Sequence, residues 1–336
     1  MALRAPELID NIQELNELIW ERQVTEPMIE DWVSNFKSER ARFPDYEVNA
    51  LYLLSNFLYF GSKEIRSLLK SMYRDKVKYR IVANIRRSLN HTLDANTIHE
   101  HYERELRRSR FIPVGNPSES GSHLLYFFRQ ENQLGKDLFV NAHQIFEGNH
   151  LRMDFRGGRF LRSLFRALFG TRLRLRYPLV KRYIFIDDFC GFGSQGLEYS
   201  RSIVERIKGF DEDVETSYLV LVATSDGIDT IVRNTLFDHV DAVFELDRTF
   251  KCFGANSRYF SEDMADMKKA TRDMCRLFGE RLVQPAHALG FDDCQLLLGF
   301  HHNVPDNTLP VIWFDEPTEP PWIPICKRYP KLYGGV

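Results

Sequence analysis

Apolar residues recur at helical spacing through the first third of the chain. Leu8, Ile12, Leu15, Leu18 and Ile19 fall on one helix face. Thr25 followed by Pro27 is a helix start, leading into Met28, Ile29, Trp32, Val33 and Phe36. Val48 to Phe60 is strongly apolar and breaks at Gly61-Ser62, after which Ile65, Leu68, Leu69 and Met72 continue on one face. Asp94 predicts the start of a further helix, from about Asn96 to Arg108. Leucine and aromatic stripes of this kind form a core, so residues 1–108 are expected to make a helical region.

The pattern changes at Phe111. Phe111 to Val114 reads as a short strand and Gly115 to Ser122 as turn chemistry; Leu124 to Phe128 opens a helix ending near Asn132. Val180 to Ile186 and Tyr218 to Ala223 read as buried strands, with a helix from Leu197 to Ile207 between them. Val240 to Leu246 predicts another strand, then a long helix runs from about Glu262 to Leu289. Leu296 to Phe300 and Leu309 to Phe314 are the last strand candidates. Strands alternating with helices predict an α/β domain over residues 109–336, with a mostly parallel sheet and flanking helices.

Composition excludes several classes. With 336 residues, 43% hydrophobic and 27% charged, the chain has enough apolar matter to bury a core and is not dominated by disorder. No stretch approaches the roughly 20 uninterrupted apolar residues of a membrane span, and the N-terminus lacks an apolar signal core. Five cysteines, at positions 190, 252, 275, 294 and 326, form an odd set without a C-x-x-C pair. That argues against a disulfide framework and a cysteine zinc site, and suits a reducing cytoplasm with no membrane partner. The net charge of −2 hides an asymmetry: residues 152–182 hold nine Arg and one Lys against Asp154 alone, a local charge of +9. Phosphate is the usual reason for so basic a segment, and nucleic acid is one possible source of it.

Residues 184–196 carry the chemistry. A buried strand ends in Asp187 and Asp188, and a glycine-rich turn, Cys190-Gly191-Phe192-Gly193-Ser194-Gln195, feeds a helix. In open α/β sheets, ligands bind beyond the carboxyl ends of strands. Backbone N–H groups of such a turn can cradle a phosphate, and neighbouring carboxylates can accept hydrogen bonds from vicinal hydroxyls. A ribose 5-phosphate offers both groups.

Four apolar residues, two acids and a short loop ending in Gly and a hydroxyl residue resemble the phosphoribosyl-pyrophosphate-binding motif of type I phosphoribosyltransferases. The resemblance implies that Asp187 and Asp188 hold the ribose hydroxyls and that residues 190–195 wrap the 5-phosphate. It implies an earlier pyrophosphate loop, which Gly115 to Ser122 fits, with Ser120, Gly121 and Ser122 as candidates. It also implies a flexible loop within the region 148–177, where Arg152, Arg156 and Arg159 would meet pyrophosphate, and Mg²⁺ bound with the ligand. The stretch from His301 to Pro310 is similar to one in phosphoribosyltransferase-like proteins of bacterial conflict and defence operons. Protein partners from such an operon are an expectation of the same kind, while a homo-oligomer is left open by the sequence. Ser225, Asp226, His301 and His302 are further loop candidates.

Two alternatives stay open. The loop contains no threonine, and Gly191 stands where some members of the family carry a catalytic base, so a sensor of phosphoribosylated metabolites or nucleotides is one. The other is a nucleic-acid methyltransferase: Asp188 to Ser194 resembles an S-adenosylmethionine loop, and Glu319-Pro320-Pro321-Trp322 resembles the catalytic turn of those enzymes. Against it, Asp226 lies 33 residues beyond Gly193, far for an acid that should end the next strand close downstream.

Overall fold

In a computed structural model, residues 4–115, 120–149 and 172–329 are described. They fall into two compact units, residues 68–245 and residues 1–67 with 246–336.

The unit over 68–245 is built on a four-stranded sheet. Its strands are β2 (Ser109–Pro113), β5 (Arg182–Cys190), β6 (Glu215–Thr224) and β7 (His239–Leu246), in the order β2-β5-β6-β7. β5 is parallel to β2 on one side and to β6 on the other. Both central strands are apolar on two faces, as strands covered by helices above and below must be: every residue of β6 after Glu215 is buried. On one face Tyr183, Phe185, Tyr218 and Val220 pack with Ile207 and Ile231 of the crossover helices. A separate antiparallel ribbon pairs β3 (Phe146–Asn149) with β4 (Arg172–Leu175).

Helix Ser120–Glu131 follows β2. After β5 the chain is helical from Ser194 to Phe210, with a π-helical stretch at Ser200–Val204. Helix Ser225–Asn234 follows β6. Strand, loop and helix therefore recur three times at the carboxyl ends of β2, β5 and β6.

The other unit is mainly helical. Helices Ala5–Leu18, Glu26–Ser34, Tyr46–Ser55 and Ala265–Leu282 enclose Ile12, Trp32, Phe36, Leu51, Leu54 and Phe278. The indole of Trp32 donates to the Val311 carbonyl at 2.7 Å, tying the start of the chain to its last part. A two-stranded parallel ribbon joins β1 (Leu58–Phe60) to β8 (Leu298–Phe300). Three expectations change here. The long helix expected from about Glu262 to Leu289 spans only Ala265–Leu282. The apolar run from Val48 is not one element: its helix ends at Ser55 and residues 58–60 form a strand. Leu309 to Phe314 is a short helix, Pro310–Trp313, rather than a strand, because Pro310 occupies the first helical turn, where its fixed φ and missing N–H suit a helix.

Candidate functional site

Parallel register brings the candidate loops to one edge. Pro113 of β2 stands beside Ile186 of β5, and Val114 N–H donates to the Ile186 carbonyl at 2.9 Å. Cys190 of β5 stands beside Ala223 of β6. The loops after β2, β5 and β6 therefore leave the sheet side by side. They are also bonded together: the Tyr199 hydroxyl donates to the Gly115 carbonyl at 2.6 Å, and the Thr224 hydroxyl donates to the Gly191 carbonyl.

Two glycines make this edge compact. Gly193 has φ +84°, in the left-handed region, and caps the helix that begins at Ser194; glycine takes that conformation without the clash a Cβ would bring. Gly227 lies in the first turn of helix Ser225–Asn234, where a Cβ would stand 2.3 Å from the Gly191 oxygen. Its N–H donates to the Thr224 hydroxyl at 2.9 Å. Thr224 and Gly227, the latter not expected as part of this site, form the floor of the 190–195 loop. Within that loop Cys190, Gly191 and Gly193 are buried, Phe192 and Gln195 half-buried, and Ser194 exposed. Burial pushes the Cys190 thiol up to about 12, with the Asp187 carboxylate adding to the effect, so it is no thiolate at neutral pH.

The acid pair divides between two environments. Side chains alternate along a strand, so consecutive acids face opposite sides. Asp187 is 3% exposed. The Tyr218 hydroxyl donates to its Oδ2 at 2.6 Å, and the N–H of Asp188 donates to its Oδ1 at 2.9 Å. Burial pushes its carboxyl up to about 8, and the neighbouring Asp188 charge raises it further than the Tyr218 hydroxyl lowers it. Asp188 is half-buried and accepts the N–H of Phe189 at 2.9 Å. The pair thus offers one accessible carboxylate and, beneath it, one buried acid whose two oxygens are held from two sides.

The other candidates are placed as follows. Gly121 lies in the first turn of helix Ser120–Glu131, and a Cβ there would stand 2.2 Å from the Val114 carbonyl oxygen; the backbone of Ser120 and Ser122 lies in the same turn. Ser225 donates to Glu245 at 2.5 Å, and Asp226 is exposed. Both stand at the carboxyl end of β6. Arg152, Arg156 and Arg159 lie outside the described residues. Of the other arginines in the basic segment, Arg174 pairs with Glu147 at 2.6 Å, and Arg182 is buried against Glu215 at 3.0 Å.

His301 and His302 belong to the other compact unit, just after β8. The N–H of His301 donates to the Phe60 carbonyl at 2.9 Å, continuing the β1–β8 pairing, and the His302 ring stacks on Phe300. The stretch that follows fastens the last part of the chain. Arg328 donates to the Val304 carbonyl at 2.6 Å and to Asp306 at 3.0 Å, and Asn303 accepts the N–H of Tyr329 at 2.9 Å. Thr308 donates to the Leu298 carbonyl at 2.6 Å. Trp322, from the Glu-Pro-Pro-Trp run, packs its ring against Phe36 and Phe278.

Among the described residues no three His, Cys, Asp or Glu side chains gather as a metal cluster, and no helix is long and apolar enough to cross a membrane. No curated protein matches the chain. The family model PRTase-CE matches residues 29–328, nearly the whole chain and both compact units. With its parallel sheet flanked by helices, its helical N-terminal region and its acid pair before a glycine loop, the chain is phosphoribosyltransferase-like and belongs to the PRTase-CE family.

Proposed function

We propose that this protein binds phosphoribosyl pyrophosphate, or a related ribose 5-phosphate, at the carboxyl edge of β2, β5 and β6. The observation that carries this is the adjacency of Asp188 to the 190–195 loop at the end of a central parallel strand. Asp188 accepts hydrogen bonds from the ribose hydroxyls, with Asp187 behind it. Backbone N–H groups of the loop meet the 5-phosphate. Pyrophosphate lies toward residues 120–122, where the loop after β2 emerges next to β5.

Mg²⁺ is generally held by one or two carboxylates together with substrate phosphates, not by an all-protein cage. Asp188 is what this edge offers an ion that arrives on the ligand, where it would neutralise charge on pyrophosphate.

On this reading the reaction is displacement at the anomeric carbon. The bond from C1 to the pyrophosphate oxygen breaks, and its electron pair leaves with pyrophosphate. A lone pair of the acceptor forms the new bond to C1, and the acceptor's proton passes to solvent or a base. The protein contributes position and charge stabilisation rather than a covalent intermediate. We place the activity in a bacterial conflict system, from the sequence likeness of residues 301–310.

Calorimetry on the full chain tests this, with phosphoribosyl pyrophosphate and Mg²⁺ beside S-adenosylmethionine. Binding of the first alone, weakened at least tenfold by Asp188→Asn, supports the reading; each tenfold is about 1.4 kcal/mol. Heat from S-adenosylmethionine alone would move the loop to the methyltransferase reading. Binding without pyrophosphate release across a panel of bases would make the protein a sensor, which the threonine-free loop favours.

A further inference from the structure

Tyr218 stands opposite Phe185 in the β5–β6 register, yet its hydroxyl reaches beyond that partner to Asp187 Oδ2 at 2.6 Å. The ring is 1% exposed and lies 5.5 Å from that of Phe237. It also lies beneath Gly196, where a Cβ would stand 3.5 Å from Cε2. One side chain therefore touches both Asp187, within β5, and the helix that follows the glycine loop. The second oxygen of Asp187 accepts the N–H of Asp188 at 2.9 Å. Together the two bonds fix the carboxyl plane of Asp187 and the peptide from which the Asp188 side chain departs.

Bulk alone does not explain this tyrosine. A phenylalanine fills the same volume, and burying a hydroxyl is unfavourable unless it is hydrogen-bonded. Tyr183 of β5 gives the contrast within the same core: it is 0% exposed and its hydroxyl has no hydrogen-bond partner among the described residues.

We propose that Tyr218 is a positioning residue, acting through Asp187 to set the direction of Asp188 and of loop 190–195. It thereby governs how tightly a ribose 5-phosphate ester is held, a role that rests on the function proposed above. Asp187 belongs to the support and Asp188 to the contact surface. The two acids are not equivalent.

The test uses the full chain with Tyr218→Phe, Tyr183→Phe, Asp187→Asn and Asp187→Leu. Amide hydrogen exchange is read without ligand, and titration with phosphoribosyl pyrophosphate and Mg²⁺ follows. Tyr218→Phe should speed exchange at residues 188–195 while β2 and residues 219–222 keep wild-type rates. It should weaken binding about tenfold, as loss of one positioning hydrogen bond implies. Tyr183→Phe should change neither. Asparagine at 187 still accepts from the Asp188 N–H and turns its amide toward the Tyr218 oxygen, so Asp187→Asn should bind within about threefold of wild type (under 1 kcal/mol). Asp187→Leu should behave like Tyr218→Phe.

Unchanged exchange at 188–195 in both Tyr218→Phe and Asp187→Leu would overturn the positioning role. So would an Asp187→Asn defect as deep as that of Asp188→Asn, which would make Asp187 a direct ligand. If Tyr218→Phe loses protection throughout the chain, Asp187→Leu decides in its place. A wild type that binds no phosphoribosyl pyrophosphate would remove the function proposed above, while the exchange data would still decide whether Tyr218 positions the loop.

Discussion

Gly227→Ala is a sharp test of how the candidate edge is packed. The added Cβ would stand 2.3 Å from the Gly191 oxygen and 3.0 Å from Cys190 Sγ. Ordinary contacts begin near 3.5 Å, so helix Ser225–Asn234 and the 190–195 loop must separate by roughly 1 Å. The atom met first is backbone and has no rotamer in which to retreat, which places the cost at the upper end of the 1–3 kcal/mol typical of overpacking, about 3 kcal/mol. Alanine recovers about 1 kcal/mol of helix propensity. The net loss is about 2 kcal/mol, or some 4–8 °C in melting temperature for a unit of this size. Gly209→Ala is the matched control, because its Cβ meets nothing within 4 Å; it should stabilise by about 0.5–1 kcal/mol. Thermal and urea melts of both variants give the answer. If Gly227→Ala melts at or above wild type, the close approach of helix and loop is not as described, and the floor assigned to Thr224 and Gly227 falls with it.

Other outcomes follow from particular contacts. The Asp187 carboxyl titrates higher in the folded chain than unfolded, so the folded state holds the extra proton from the ordinary Asp range up to about 8, and stability from this group falls as pH rises through that window. Melts of Asp187→Asn at pH 5 and pH 8 should therefore show the variant gaining on wild type at the higher pH, by at most about 1.4 kcal/mol per unit. Arg182→Met leaves Glu215 without its 3.0 Å partner and Ser109 without a 3.2 Å donor, and should cost about 3 kcal/mol in urea unfolding. Tyr183→Phe removes a buried hydroxyl with no partner among the described residues, so its melt should match or exceed wild type. Trp32→Phe gives up the 2.7 Å bond to Val311 and leaves that carbonyl one donor poorer, which should cost about 1–3 kcal/mol.

Much of this architecture was legible because long apolar runs carry their own signal. Val180 to Ile186 and Tyr218 to Ala223 read as buried strands, and they fall in β5, which starts at Arg182, and β6. Helix 5–18 follows the helical spacing of Leu8, Ile12 and Leu15, and helices 26–34 and 95–107 follow the expected starts at Thr25 and Asp94. Short apolar segments were a different matter. Leu58 to Phe60 pairs with Leu298 to Phe300, a partner so distant in sequence that no local pattern announces it. Leu309 to Phe314 is too short for periodicity to separate helix from strand.

At the site, the loop order along the chain pointed to one sheet edge, and the parallel register assembled it. The unequal burial of Asp187 and Asp188 had a signal that went unused: neighbouring residues in a strand face opposite ways. Tyr218 had none, since a tyrosine inside an apolar strand looks like core until its hydroxyl is seen 2.6 Å from a carboxyl. The run from His301 to Pro310 stood out by its resemblance to a stretch of phosphoribosyltransferase-like proteins, and Asn303, Val304, Asp306 and Thr308 hold backbone and the returning chain.

The account depends most on where a sugar phosphate touches the chain. Hydrogen exchange of the wild type with and without phosphoribosyl pyrophosphate and Mg²⁺ reads this directly. New protection should concentrate at residues 188–195, extend to 120–122, and vanish in Asp188→Asn. Protection confined to other segments, or an unchanged footprint in Asp188→Asn, would contradict it.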